Sequence, residues 1–212
     1  MRVDGVLAER DHVIVGLDGP VAEGLAVGSV AGRLRVLLSE DRLPWKVRRT
    51  EDPLVVVAHA GVIGPATERA VRAQWRRLDH EVVAAAEVAV GVREAFAALA
   101  AYGARITVVG ALDVAAMRIF LNLNGLDEHV GRLVGRAEGD RALLPPAPDL
   151  ITAAVHAGAL PVGSCVFVGG SDHDLAAARA AGVDTIRHRR ADPDPVTPTN
   201  AWLDLLAAPT RR

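Results

Sequence analysis

The sequence predicts an α/β fold: a Rossmann-like, doubly wound parallel sheet with a helical cap inserted after the first strand. Three observations carry that expectation. Short apolar runs at 12–17, 105–110, 131–135, 164–168 and 183–186 are nearly continuous in hydrophobic residues, as strands covered on both faces must be. Between 105 and 190, each run is separated from the next by room for one helix, the spacing of parallel crossovers. The stretch 22–90 breaks this alternation with several helical patterns in succession.

In chain order, the first strand is HVIVGL, and Asp18, Gly19 and Pro20 follow it as turn-forming residues. Helical patterns then run near 26–39, 53–62 and 65–89. "TEDP" offers Thr50 as an N-cap with Pro53 early in the next helix. Over 65–89, charged and apolar residues interleave at helical spacing, so one face should be wet and the other packed. This places a cap at 22–89 on a core made of 1–21 and 90–212. A helical insert at that point lies over the carboxyl ends of the strands, where open α/β sheets bind their ligands. Helices follow at 113–123, 148–158 and 172–181, the last stopped by Gly182. Ser171 and Asp174 fit a capping box, S-x-x-D, at its start. A Pro-rich connection at 189–199 and a short closing helix at 200–208 complete the chain, with no internal repeat.

Bulk properties narrow the function classes. The chain has 212 residues, enough to bury a proper core, and fits one domain with an elaboration. Half the residues are hydrophobic but only 3% are aromatic, so Ala, Val and Leu must build the core. With 26 acids against 24 bases, no basic excess points to nucleic acid or a membrane surface. No apolar run approaches the ~18 residues of a membrane span, and no signal segment opens the chain. A single cysteine, Cys165, excludes an internal disulfide framework. The expectation is a soluble, cytoplasmic protein.

Four segments carry chemistry, or its outline. The first strand empties into Gly16-Leu17-Asp18-Gly19. "GVREAFAALAAYGARITVVGAL" leads through a helix into a strand ending at Gly110. "PPAPD" holds Pro145, and "VGGSDHDLAAARAAG" holds Gly170, Ser171, Asp172 and Asp174. In this order and spacing, over about residues 12–186, they resemble the motifs of the haloacid dehalogenase superfamily of phosphohydrolases, in particular its phosphoglycolate-phosphatase-like branch. That resemblance implies an aspartate nucleophile at position 16, a general acid/base at Asp18, and phosphoryl-holding Thr/Ser and Lys at 110 and 145. It also implies metal-site acids at 170 and 174. Here the nucleophile position is Gly16, the phosphoryl holders are Gly110 and Pro145, and one metal acid is Gly170. Only Asp18, as a vestigial acid/base position, and Asp174 remain.

Phosphoryl transfer through an aspartyl intermediate needs a carboxylate in line with phosphorus. Glycine has none. Mg²⁺ wants hard oxygen ligands in near-octahedral geometry, and proline cannot replace the charge that lysine aims at the transition state. Losing one member of a catalytic unit can cost on the order of 10⁴–10⁶ in rate. The expectation is a pseudo-phosphatase that binds a small anionic ligand or a protein. Its ligand pocket would comprise Gly16, Asp18, Gly110, Pro145, Gly170 and Ser171. No cofactor is expected. Mg²⁺, held by Asp174 and Asp172, belongs to the alternative, a weak or rewired phosphomonoester hydrolase using Asp18 and Asp174. Main-chain amides at helix starts are the groups expected to favour the anion. A homodimer through the Ala-rich insert is a further expectation.

Plainer roles compete at each position. Asp18 reads first as the cap of its turn, and Ser171 and Asp174 as helix caps. His173 lacks a nearby second histidine in sequence, though His12 remains an open spatial partner. Cys165 reads as a small hydrophobe in a strand. Trp45 and Trp75 read as packing residues of the cap. Glycine spacings such as Gly24…Gly28 do not join a strand to a helix as dinucleotide binding requires.

Overall fold

The computed structural model describes Leu7, residues 10–25, 30–38, 43–136 and 148–189, and Trp202, Leu205 and Leu206. Five strands form one parallel sheet: β1 (His12–Gly16), β4 (Arg105–Val109), β5 (Arg132–Val134), β6 (Cys165–Gly169) and β7 (Asp184–Arg187). Their order across the sheet is β5-β4-β1-β6-β7. β1 is central, pairing Gly16 with Val109 on one side and Val15 with Val168 on the other. Every residue of β1 and β6 is buried, which is why these runs are unbroken in apolar character. Edge strands β5 and β7 are only partly covered and carry charged residues.

The two faces of the sheet are covered differently. On one, α5 (Val92–Ala101) and α6 (Val114–Leu123) bring Phe96, Leu99, Met117 and Phe120 onto Val13, Val15 and Val108, and Trp202 joins them. On the other, α7 (Asp149–Gly158) and α8 (Asp172–Ala180) pack Leu150, Ile151 and Leu175 against Ile14, Cys165 and Phe167. A third apolar cluster, including Leu34, Val56 and Leu78, lies wholly within the insert.

The insert contains α1 (Val30–Arg35), α2 (Trp45–Arg49), α3 (Pro53–Ile63) and α4 (Pro65–Ala85). Three details differ from the sequence expectation. The long helix stops at Ala85, not 89, because Ala86 turns extended and Glu87–Val88 (β3) pairs antiparallel with Ala22–Glu23 (β2). The insert therefore leaves and rejoins the core through a two-stranded ribbon. The cap of α3 is Asp52 and not Thr50: with Pro53 at the first helical position, Asp52 accepts the Leu54 N–H at 3.0 Å. Thr50 sits one step back, its hydroxyl accepting the Asp52 N–H at 3.0 Å. Trp75 packs inside the insert as expected, but Trp45 is 70% exposed and lies under the Arg49 guanidinium. No described helix is long and apolar enough to cross a membrane.

Candidate functional site

Between the insert and the carboxyl ends of the strands is a cavity of about 270 Å³. Leu25, Pro53, Trp75 and Asp79 line it from the insert side, and Val109, Leu112, Leu150, Ile151 and Phe167 wall it from the core. Of the expected pocket residues, Gly16, Asp18, Gly110 and Ser171 line this cavity, together with Asp174. Gly170 is not among the lining residues, and Pro145 lies outside the described residues.

Gly170 is excluded for a steric reason. The 17–22 turn is closed by main-chain bonds: the Leu17 carbonyl accepts from Val21 and Ala22, and the Gly19 N–H reaches the Ala22 carbonyl at 2.9 Å. Gly19 adopts a φ of +89°, open to glycine at little cost. This turn rests directly on Gly170, where an added Cβ would sit 2.9 Å from the Asp18 carbonyl oxygen. At Gly16, by contrast, a Cβ would meet Phe167 and Val168 at an ordinary 3.5 Å. Gly110 is intermediate, with Leu17 at 3.1 Å and Met117 at 3.3 Å. Gly16→Ala should therefore change stability by under about 0.5 kcal/mol, and Gly170→Ala should cost about 1–3 kcal/mol through overpacking. Urea denaturation of the two variants checks the contrast; equal losses would show that the turn yields freely.

Asp18 does not cap its turn. Among the described residues no N–H of the turn donates to the Asp18 side chain, and Asp18 lines the cavity. Burial, and then the charge of Asp174, hold its carboxyl above the usual carboxylate range. Ser171 does cap α8: its hydroxyl oxygen accepts the Asp174 N–H at 3.1 Å. The return half of the expected box is altered, because the Asp174 carboxylate accepts a hydrogen bond from the Ser171 hydroxyl, at 2.5 Å, in place of one from a main-chain N–H. Asp172 is exposed, pairs with Arg187 and stands outside the described cavity lining.

Two carboxylates line this part of the cavity, Asp18 and Asp174, one of them already engaged by a hydroxyl, where Mg²⁺ wants hard oxygen ligands in near-octahedral geometry. Among the described residues no group of three His, Cys, Asp or Glu side chains converges on a metal-sized point. At the helix starts, Ser171 takes one N–H of α8, which carries Asp172 and Asp174 in its first turn, and Asp113 takes the Ala115 N–H of α6 at 2.9 Å.

The histidine and cysteine alternatives also resolve. His12 opens β1, four residues before Gly16, so it is no partner for His173. Its ring lies at the opposite end of the sheet, with Nε2 2.8 Å from Thr107 Oγ1 and Nδ1 3.6 Å from Cys165 Sγ. Cys165 thus has a base beside it, a neighbour that sequence reasoning did not find. Both are fully buried, and burial pushes the thiol up and the imidazole down, away from a thiolate–imidazolium pair.

The polar residues that sequence reasoning missed are Asp79 and Arg136. Asp79 projects from α4 and is 1% exposed; Arg136 follows β5. Their side chains meet at 2.6 Å. The Asp113 N–H also donates to Asp79 at 3.0 Å, Arg136 donates to the Ala111 carbonyl at 3.1 Å, and its guanidinium lies 3.6 Å from the Trp75 ring centre. A signal for Asp79 was present: it falls four residues after Trp75 and eight after Val71, on the apolar stripe of α4. A carboxylate is rarely buried there without a partner.

Comparison with known proteins bears on this architecture. No curated protein matches the chain in sequence. Among solved structures, the fold is shared with a HAD-superfamily hydrolase, subfamily IA, variant 1, from Geobacter sulfurreducens (TM-score 0.55, 20% identity, 91% of this chain and 92% of that one). It is also shared with CbbY from Rhodobacter sphaeroides, solved in complex with phosphate (TM-score 0.59, 17% identity, 84% and 85%). A predicted phosphoglycolate phosphatase from Haemophilus somnus gives a TM-score of 0.57 at 17% identity, covering 84% of each chain. At these identities the likeness establishes the fold alone. The sequence model of the haloacid dehalogenase-like hydrolases matches residues 59–188, more than half of the chain, and the protein belongs to that family.

Proposed function

We propose that this chain is a non-catalytic member of its family, a pseudo-phosphatase that acts by binding a small molecule between insert and core, or a protein partner. The observation that carries the reading is a retained cavity lined by Gly16 where the attacking carboxylate would stand. Mostly apolar walls, with Asp18 and Asp174 at the floor, favour an uncharged, largely apolar occupant over the phosphate-like anion that the helix starts alone suggest. The crowding at Gly170 and the engaged Asp174 support the absence of a resident Mg²⁺ from this proposal. A cytoplasmic setting and a homodimer belong to the same proposal, and sedimentation velocity reads the latter.

The test is a phosphomonoester panel assayed with millimolar Mg²⁺. The expected result is no turnover above a buffer control. Hydrolysis that Asp18→Asn abolishes would establish the rival reading, a rewired hydrolase built on Asp18 and Asp174.

A further inference from the structure

We propose that Asp79 and Arg136 form a latch between insert and core that sets access to the cavity. The inference rests on the cavity being a ligand compartment, and it adds what controls entry. The latch has parts on three separated segments. Asp79 and Trp75 belong to α4 of the insert; Arg136 follows β5; Ala111 and Asp113 belong to the loop between β4 and α6. Arg136 bridges all three: its side chain reaches Asp79 and Ala111 and lies over Trp75, while its own N–H donates to the Leu112 carbonyl at 2.8 Å.

Both charged residues lie in the cavity wall, at a seam where the insert meets the core. With 1% and 9% of their side-chain surfaces exposed, neither charge keeps its water. Separating insert from core here would strand a carboxylate and a guanidinium away from their partners until water reached them. The interaction is therefore all-or-none in character, made when the insert is seated and lost when it lifts. The seam is part of the wall around a ligand held between Leu25, Pro53 and Trp75 on one side and Leu150, Ile151 and Phe167 on the other. Along this route the latch is the barrier to entry.

The experiment uses a cysteine in the cavity wall. Ile151 lines the cavity and is 2% exposed, so Ile151→Cys reports access through its labelling by iodoacetamide. The native Cys165 is fully buried in β6, outside the cavity lining, and serves as an internal clock for global unfolding. In Ile151→Cys/Arg136→Gln, labelling at position 151 should rise by roughly tenfold or more over Ile151→Cys alone, with Cys165 still protected. The Asp113 amide, which donates to Asp79, should lose hydrogen-exchange protection in the same variant while Val13 and Val15 keep theirs. If Arg136→Gln does not fold, Arg136→Lys carries the test, since it retains the charge but not the planar fork or the stack. Equal labelling at 151 with and without Arg136 would overturn the latch. So would acceleration at 151 and Cys165 in step, which would make insert and core one unfolding unit. Neither readout depends on knowing the ligand or on the absence of turnover, so the latch and the pseudo-phosphatase reading can fail separately.

Discussion

Trp202→Ala should destabilise the protein by about 3–5 kcal/mol, the range for truncating a large buried aromatic residue. Trp202 has no exposed surface, packs edge-on against Phe96 with ring centres 6.0 Å apart, and donates its indole N–H to the Pro20 carbonyl at 2.7 Å. The loss combines a cavity beside Phe96 with an orphaned carbonyl in the turn that covers Gly170. Trp202→Phe keeps a ring but not the N–H, so it should lose less. Urea denaturation followed by circular dichroism measures both, and a loss below about 1 kcal/mol for the alanine variant would contradict the docking of this residue.

Acidification should remove a comparable amount of stability through a single side chain. His188 is buried beside Trp202, at a ring distance of 5.5 Å, and among the described residues neither ring nitrogen has a hydrogen-bond partner. Burial lowers its pKa from 6.5 to about 4. Above pH 6.5 the ring is neutral in folded and unfolded chains alike, and no penalty exists. As the pH falls from 6.5 towards 4, the unfolded chain takes up a proton that the folded chain refuses, so stability drops by about 3 kcal/mol over that window. His188→Leu should flatten this part of the stability profile between pH 7 and 4. An unchanged slope would assign the acid sensitivity elsewhere.

The parallel core was legible because its strands are buried on both faces and so lack polar interruption, as in Val13-Ile14-Val15 and Cys165-Val166-Phe167-Val168. The end of α4 was not, because "AAAEVAV" contains no helix breaker before Gly91. What stops the helix is pairing with Ala22–Glu23, more than sixty residues earlier, and local propensity carries no such information. Trp45 was misjudged for a similar reason: an indole's burial depends on what faces it. At the site, the sequence named Gly16, Asp18, Gly110, Pro145, Gly170 and Ser171 as a pocket, with Asp174 at its metal position; Gly16, Asp18, Gly110, Ser171 and Asp174 line one cavity, Gly170 does not, and Pro145 lies outside the described residues. It misread what Asp18 does, because turn chemistry at "LDGP" is satisfied by the backbone itself. It passed over Arg136 entirely. An arginine just past a strand is unremarkable until Asp79 arrives opposite it from the insert.

The turn seated on Gly170 also sets the order in which side chains can be introduced at this site. An acid placed at position 170 would bring its first side-chain carbon against the Asp18 carbonyl. Position 16 has no such obstacle. An engineered pair of acids would therefore have to begin at position 16 and reshape the 17–22 turn, itself tied down by Trp202, before position 170 could follow. The two glycines look equivalent in the sequence, and the packing makes them unequal.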